Sequence, residues 1–191
     1  MAACASLRTI KLERIIDMIT KKVMAHRIRP YSLMAKFMHW TFIGVFAFGV
    51  INQVDEVDEL ESLNLLVAEV VFAMIFLSLL FLRFIYMRSQ QTAMLQIEMP
   101  RNLTLLARIV HLGMYFSLAL IAITGLIIGG LYYSGVKDGL GLEAILLLHE
   151  IVFWVSVNLI CLHIVGAIYH RLKGDGIWSA MVPILREKSE N

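Results

Sequence analysis

The chain has 191 residues, of which 59% are hydrophobic and 17% charged, and its mean hydropathy is +0.76. A soluble domain is about 45–50% apolar and about a quarter charged, so this chain has too little polar surface to cover a core in water. The composition excludes disorder, collagen and a disulfide scaffold and points to a membrane protein, with room for about four spans of roughly 20–25 residues.

The two cysteines, Cys4 and Cys161, fit no metal or redox spacing. The net charge of +2 hides an arrangement. Basic residues gather in the first 36 positions, around the 87–103 segment (Arg83, Arg88, Arg101, Arg108) and after the last apolar run (Arg171, Lys173, Arg186, Lys188). Only Lys137 lies elsewhere. Because basic residues are retained on the cytoplasmic side, both termini and the 87–103 loop are expected there, with the 53–62 and 132–142 loops outside.

In chain order, residues 1–29 form a basic extension. Leu7, Ile10, Leu12, Ile15, Ile16, Met18, Ile19 and Val23 alternate there with basic residues. That pattern suits an amphipathic helix on the inner membrane surface, and equally a partly ordered basic tail. It is not a signal peptide, since it has no apolar stretch of about 7–15 residues and no small-residue cleavage site. Span one is expected at about 30–52, with Pro30 in the first helical position, where a missing N–H costs nothing. Spans two, three and four are expected at about 63–86, 102–131 and 141–170, and residues 186–191 form a tail. Residues 30–185 are read as one four-span domain. The fold class is therefore all-α: an integral membrane four-helix bundle with an N-terminal cytoplasmic-surface amphipathic helix.

Histidine placement carries the chemistry. Five of the six histidines, His39, His111, His149, His163 and His170, fall within spans or at their ends. Ionisable or polar residues at such depth are expensive and mark function. His149, His163 and His170 share one face of span four, because fourteen and seven residues are near-whole numbers of turns. His39, His111 and His163 each lie seven to nine residues from the cytoplasmic end of a span, which puts all three roughly 10–14 Å deep. A lone intramembrane histidine is usually a packing residue, but several at matched depth are not. Two imidazoles facing each other across a bundle core are what a b-type haem needs as axial ligands. His111, His170, Lys36, Arg108 and Arg171 are available to its propionates on that side.

His39-Trp40, the Arg108-x-x-His111-Leu-Gly-x-Tyr115 stretch and the His149-Glu150…His163…His170 pattern resemble the bacterial cytochrome b561 family. These are four-helix membrane haem proteins related to b-type subunits of hydrogenases and formate dehydrogenases. The resemblance covers about residues 30–185. It implies haem b, with His39 and His163 as iron ligands on the cytoplasmic side, and membrane quinone or a redox subunit as partner. It implies the bacterial inner membrane as the location. A second haem in the family uses a histidine early in span two together with the histidine at position 149. Here the span-two position is Glu69, a poor axial ligand. Three arrangements are compatible with that departure. The second haem is absent and Glu69 bonds His149; or it is held by His149 with another sixth ligand or none; or a non-aligned histidine replaces the missing one.

Glu150 is read either as a proton acceptor or propionate neighbour, or as a carboxylate reaching water. The acidic 55–61 loop is read as a solvated charge run, with docking of a basic partner as the sharper option. Gly44, Gly49, Gly113, Gly125 and Gly166 are expected to allow close helix contact. No phosphate loop, nucleophile–base constellation or nucleic-acid face is present. Two functions follow. One is an electron carrier with one haem b, or two, exchanging electrons with quinone or a redox partner; it is a carrier rather than a stand-alone enzyme, although a quinone-linked oxidoreductase fits the same features. The other is a non-catalytic membrane accessory or sensor subunit on the same fold. Either accommodates a homodimer.

Overall fold

The computed structural model describes residues 31–54, 57–90 and 101–182. The amphipathic lead, Pro30, residues 91–100 and the C-terminal tail lie outside the described residues. Four long helices dominate: α1 (Leu33–Ile51), α2 (Leu63–Gln90), α3 (Arg101–Tyr133) and α4 (Leu140–Lys173). A 3₁₀ turn, Val57–Glu61, joins α1 to α2, and a short helix α5 (Ile177–Met181) follows α4. All four long helices are apolar and long enough to cross a bilayer. There is no strand among the described residues. The architecture is the all-α membrane four-helix bundle.

Local chemistry sets the helix ends. α1 starts at Leu33, three residues later than expected, because Ser32 caps it: the Ser32 hydroxyl accepts the Ala35 N–H at 3.1 Å and meets the Tyr86 hydroxyl at 2.7 Å. α2 runs four residues beyond the expected end and carries Arg88 in its last turn, where a cation suits the helix dipole. α4 has Glu143 in its first turn and His170, Arg171 and Lys173 in its last, so both ends match the dipole. It stops at Gly174, whose φ of 69° is left-handed and whose N–H caps the His170 and Arg171 carbonyls.

α3 packs against α2 on one side and α4 on the other, while α1 packs mainly against α2. The α1–α4 side is the sparsest of the four. α5 folds back so that the Tyr31 N–H donates to the Ala180 carbonyl, which ties the two ends of the described chain together. One core cluster, Leu60, Leu66, Ile128, Tyr132 and Leu142, closes the end that carries the 3₁₀ turn. A second, Phe76, Leu80, Leu118 and Ala122, fills the middle. Large apolar residues such as Leu147, Ile151, Trp154 and Leu162 point outward, which is sensible only where lipid replaces water.

The glycines divide unevenly. A Cβ on Gly49 would sit 2.7 Å from the Phe72 ring, and one on Gly129 would sit 2.6 Å from Val70. These two let α1 and α3 close onto α2. Gly113 faces Leu159 at 3.2 Å and Gly125 the His149 ring at 3.5 Å. Gly44 and Gly166, expected to serve close contact, face open space instead.

Candidate functional site

Near the end that holds the termini, three helices bring three imidazoles together. His39 comes from α1, His111 from α3 and His163 from α4. The His39 and His163 ring centroids are 6.4 Å apart, and those of His111 and His163 are 4.9 Å apart. Metal–nitrogen bonds of about 2 Å and ring radii of about 1.1 Å set two axial imidazoles about 6 Å apart, centroid to centroid. The His39–His163 pair meets that separation; the His111–His163 pair is too close to share an iron. His111 is also held on its own helix, its Nδ1 lying 2.6 Å from the Ala107 carbonyl. It packs edge-on against His163 as a neighbour.

Arg83 of α2 completes the cluster. Its Nη2 donates to His39 Nδ1 at 2.8 Å, while Nη1 is buried with no hydrogen-bond partner among the described residues. A guanidinium can only donate, so this bond leaves the His39 proton on Nε2. In the sequence Arg83 falls among the charges flanking the 87–103 segment, three residues from the expected end of span two. With α2 reaching Gln90, Arg83 lies seven residues from the helix end, about 10 Å deep. An arginine inside Leu79-Leu80-Phe81-Leu82-Arg83-Phe84-Ile85 is itself the signal that could have found it.

The other cations expected near propionates are placed differently. Lys36 is half-buried and Arg108 exposed, and neither makes an ion pair among the described residues. The Arg171 guanidinium lies 4.9 Å from the centre of the Trp178 ring. His170 Nδ1 bonds Asp175 Oδ2 at 2.7 Å, with Lys173 Nζ 3.5 Å from the same oxygen. Burial raises the Asp175 pKa, but His170, the Ile177 N–H and Lys173 outweigh it and hold the carboxyl below its usual value. His170 and Arg171 thus fasten the α4–α5 turn.

Toward the opposite end lies a cavity of about 340 Å³. Phe46, Phe72 and Phe153 contribute apolar walls; Gln53, Glu69, His149 and Glu150 contribute the polar groups. No hydrogen bond joins Glu69 to His149, although both line the same space. His149 Nδ1 instead meets Thr124 Oγ1 at 2.8 Å, and that hydroxyl already donates to the Leu120 carbonyl at 2.8 Å. The same hydroxyl also lies 3.0 Å from the Ile121 carbonyl, so Thr124 ties the His149 ring to α3. α3 supplies the bond that was anticipated from α2.

A family model described as prokaryotic cytochrome b561 matches residues 30–183. The chain belongs to the prokaryotic cytochrome b561 family. Comparison with curated proteins and with solved structures found no match. Cytochrome b561 proteins bind b-type haem and transfer electrons in the membrane, and the match covers every histidine of both sites. The residues at the termini end fit such a group. Two imidazoles stand at the right separation across the sparsest side of the bundle, a buried guanidinium nitrogen has no acceptor among the described residues, and open space lies at Gly166, one turn from His163. The cavity at the opposite end offers one imidazole, His149, beside Glu69 and Glu150, which do not make a bis-imidazole pair.

Proposed function

We propose that the chain is a one-haem membrane electron carrier, with His39 and His163 as axial ligands on the cytoplasmic side of a bacterial inner membrane. The 6.4 Å separation of those two rings carries the reading. Haem iron between two imidazoles supplies one-electron transfer without an open position for oxygen. The chain's own residues do the rest. α1 and α4 hold the two rings across a side where helix contact is sparse. A histidine that binds metal through Nε2 carries its proton on Nδ1, so His39 would release Arg83 on binding haem, and the guanidinium would then be available to a propionate. Lys36 and Arg108 lie toward the same end, and His111 lines the site through His163. Quinone, or a redox subunit, is the exchange partner, and the basic lead is a docking element for the latter.

Purified protein should show a sharp b-type alpha band in its reduced-minus-oxidised spectrum. His39→Ala and His163→Ala should each abolish that band, while His111→Ala should leave it. A colourless preparation from haem-replete cells, or a band that survives both ligand substitutions, would overturn the assignment.

A further inference from the structure

We infer that the outer face of α4 is the contact surface for a second copy of this chain, with Asn158 pairing across a two-fold axis. This goes beyond the one-haem reading and does not depend on it. Asn158 lies fifteen residues from the nearer end of α4, about 22 Å along the axis, and its side chain is exposed. At that depth the surroundings are lipid tails, which offer neither donor nor acceptor. A carboxamide has two N–H donors and an accepting oxygen. One donor is used: Asn158 Nδ2 donates to the Trp154 carbonyl at 2.8 Å. The second N–H and the side-chain oxygen have no partner among the described residues. The other Asn and Gln of the long helices, Asn64, Gln90 and Asn102, lie within two residues of a helix end, where water or headgroups reach them. An exposed serine such as Ser78 is different, because its single donor is spent on its own helix, on the Met74 carbonyl at 2.8 Å.

The residues around Asn158 form a seam. Ile151, Trp154, Asn158, Cys161, Val165 and Ile168 follow at alternating steps of three and four, and all are exposed. That is the a/d pattern of a left-handed helix pair, and it runs about 25 Å, most of the apolar layer. Buried Val152 and Ser156 lie on the opposite side of α4, toward the bundle. In this register Ile151, Asn158 and Val165 are a positions. β-Branched residues at a favour two strands, and one asparagine at a fixes register and partner number. The occupant follows from the polar group. Two copies in one membrane share an orientation, so their α4 helices run parallel and a two-fold axis along the bilayer normal sets each residue against itself. A carboxamide is self-complementary: each copy's free N–H meets the other's oxygen, and both are satisfied at once. A lipid tail in the same place would leave both unpaired.

Cys161 makes the seam testable, since the same axis sets it against its own copy. Full-length protein carrying Cys4→Ser keeps Cys161 as its one thiol. In membrane vesicles, oxidation with copper phenanthroline should convert it to a reducible band at twice the 21.7 kDa chain mass. With Cys161 also replaced by serine, Ser78→Cys on the lipid face of α2 should give no such band. In detergent, sedimentation equilibrium should show a monomer–dimer equilibrium. Asn158→Leu should raise its dissociation constant about tenfold, the worth of a symmetric pair of interhelical hydrogen bonds in lipid, while Asn158→Gln keeps the carboxamide and should stay closer to the unaltered protein. If Asn158→Leu fails to fold, the Cys161 and Ser78→Cys comparison still decides. Absence of the Cys161 dimer, equal crosslinking at both positions, or a dissociation constant unmoved by Asn158→Leu would overturn the surface. So would a Cys161 adduct of another mass in place of the dimer, which would assign the seam to a different polypeptide. Loss of haem with the dimer intact would remove the electron-carrier reading and leave this one standing.

Discussion

At residue scale, Arg83 and His39 form the contact with the largest consequence for haem loading. One guanidinium nitrogen occupies the ring nitrogen that must carry a proton when His39 holds a metal, and the other is buried with no acceptor among the described residues. With His39 holding a metal, the Arg83 guanidinium would be free to pair a haem carboxylate, so Arg83→Gln should lower haem retention by about tenfold or more, the worth of a charge-assisted hydrogen bond, with Arg83→Lys intermediate because lysine keeps the charge but loses the fork. Haem per chain through successive purification steps checks this, and the bound haem's midpoint potential should fall with the loss of a nearby cation. Retention equal to the unaltered protein would leave Arg83 a packing residue. His39, His149 and His163 were legible in the sequence because their spacing from span ends translates directly into depth. The Thr124–His149 bond was not, since it depends on how α3 and α4 are rotated about their own axes. Depth matching of Glu69 with His149 correctly brought them to one cavity, yet it could not show that Thr124 stands closer.

At element scale, the spans were legible to within a few residues because twenty-odd apolar residues in lipid have no other way to satisfy their backbone. The ends moved where polar detail intervened. Ser32 caps α1 after Pro30, and α2 continues past Tyr86 because Met87, Arg88 and Ser89 sustain a helix leaving the apolar layer. The glycines show how much depends on packing. Gly129 and Gly44 look alike in sequence, yet a Cβ on the first meets Val70 at 2.6 Å and one on the second meets nothing. Gly129→Leu should destabilise the bundle by about 1–3 kcal/mol through overpacking at the α2–α3 contact. Gly44→Ala should be neutral or stabilising by roughly 0.5–1 kcal/mol from helix propensity. Thermal unfolding in detergent, followed by circular dichroism, separates them. Equal midpoints would mean that α3 does not approach α2 so closely.

At the scale of the whole molecule, charge is segregated between the two ends. Among the described residues, one end carries Lys36, Arg83, Arg108, Arg171 and the histidine cluster; the other carries carboxylates and Lys137, which pairs with Glu61. Because basic segments are retained in the cytoplasm, we propose that both termini lie inside. In a background lacking Cys4 and Cys161, Ser134→Cys should react with a membrane-impermeant maleimide in intact spheroplasts. Asn191→Cys should react only after permeabilisation. The reverse pattern would invert the orientation and move the histidine cluster to the outer leaflet.

The amino-acid sequence by itself determined the membrane environment, the four spans, the family and the depth of each histidine. Composition and one-dimensional spacing are enough for these, because a bilayer converts position along a helix into depth. Only the tertiary structure decided which rings face one another, that Arg83 is buried against His39, that His170 and Arg171 fasten a turn, and that Glu69 shares a cavity with His149 without bonding it. Those outcomes depend on helix rotation and on competition between neighbouring side chains across helices, and spacing along a single helix carries neither.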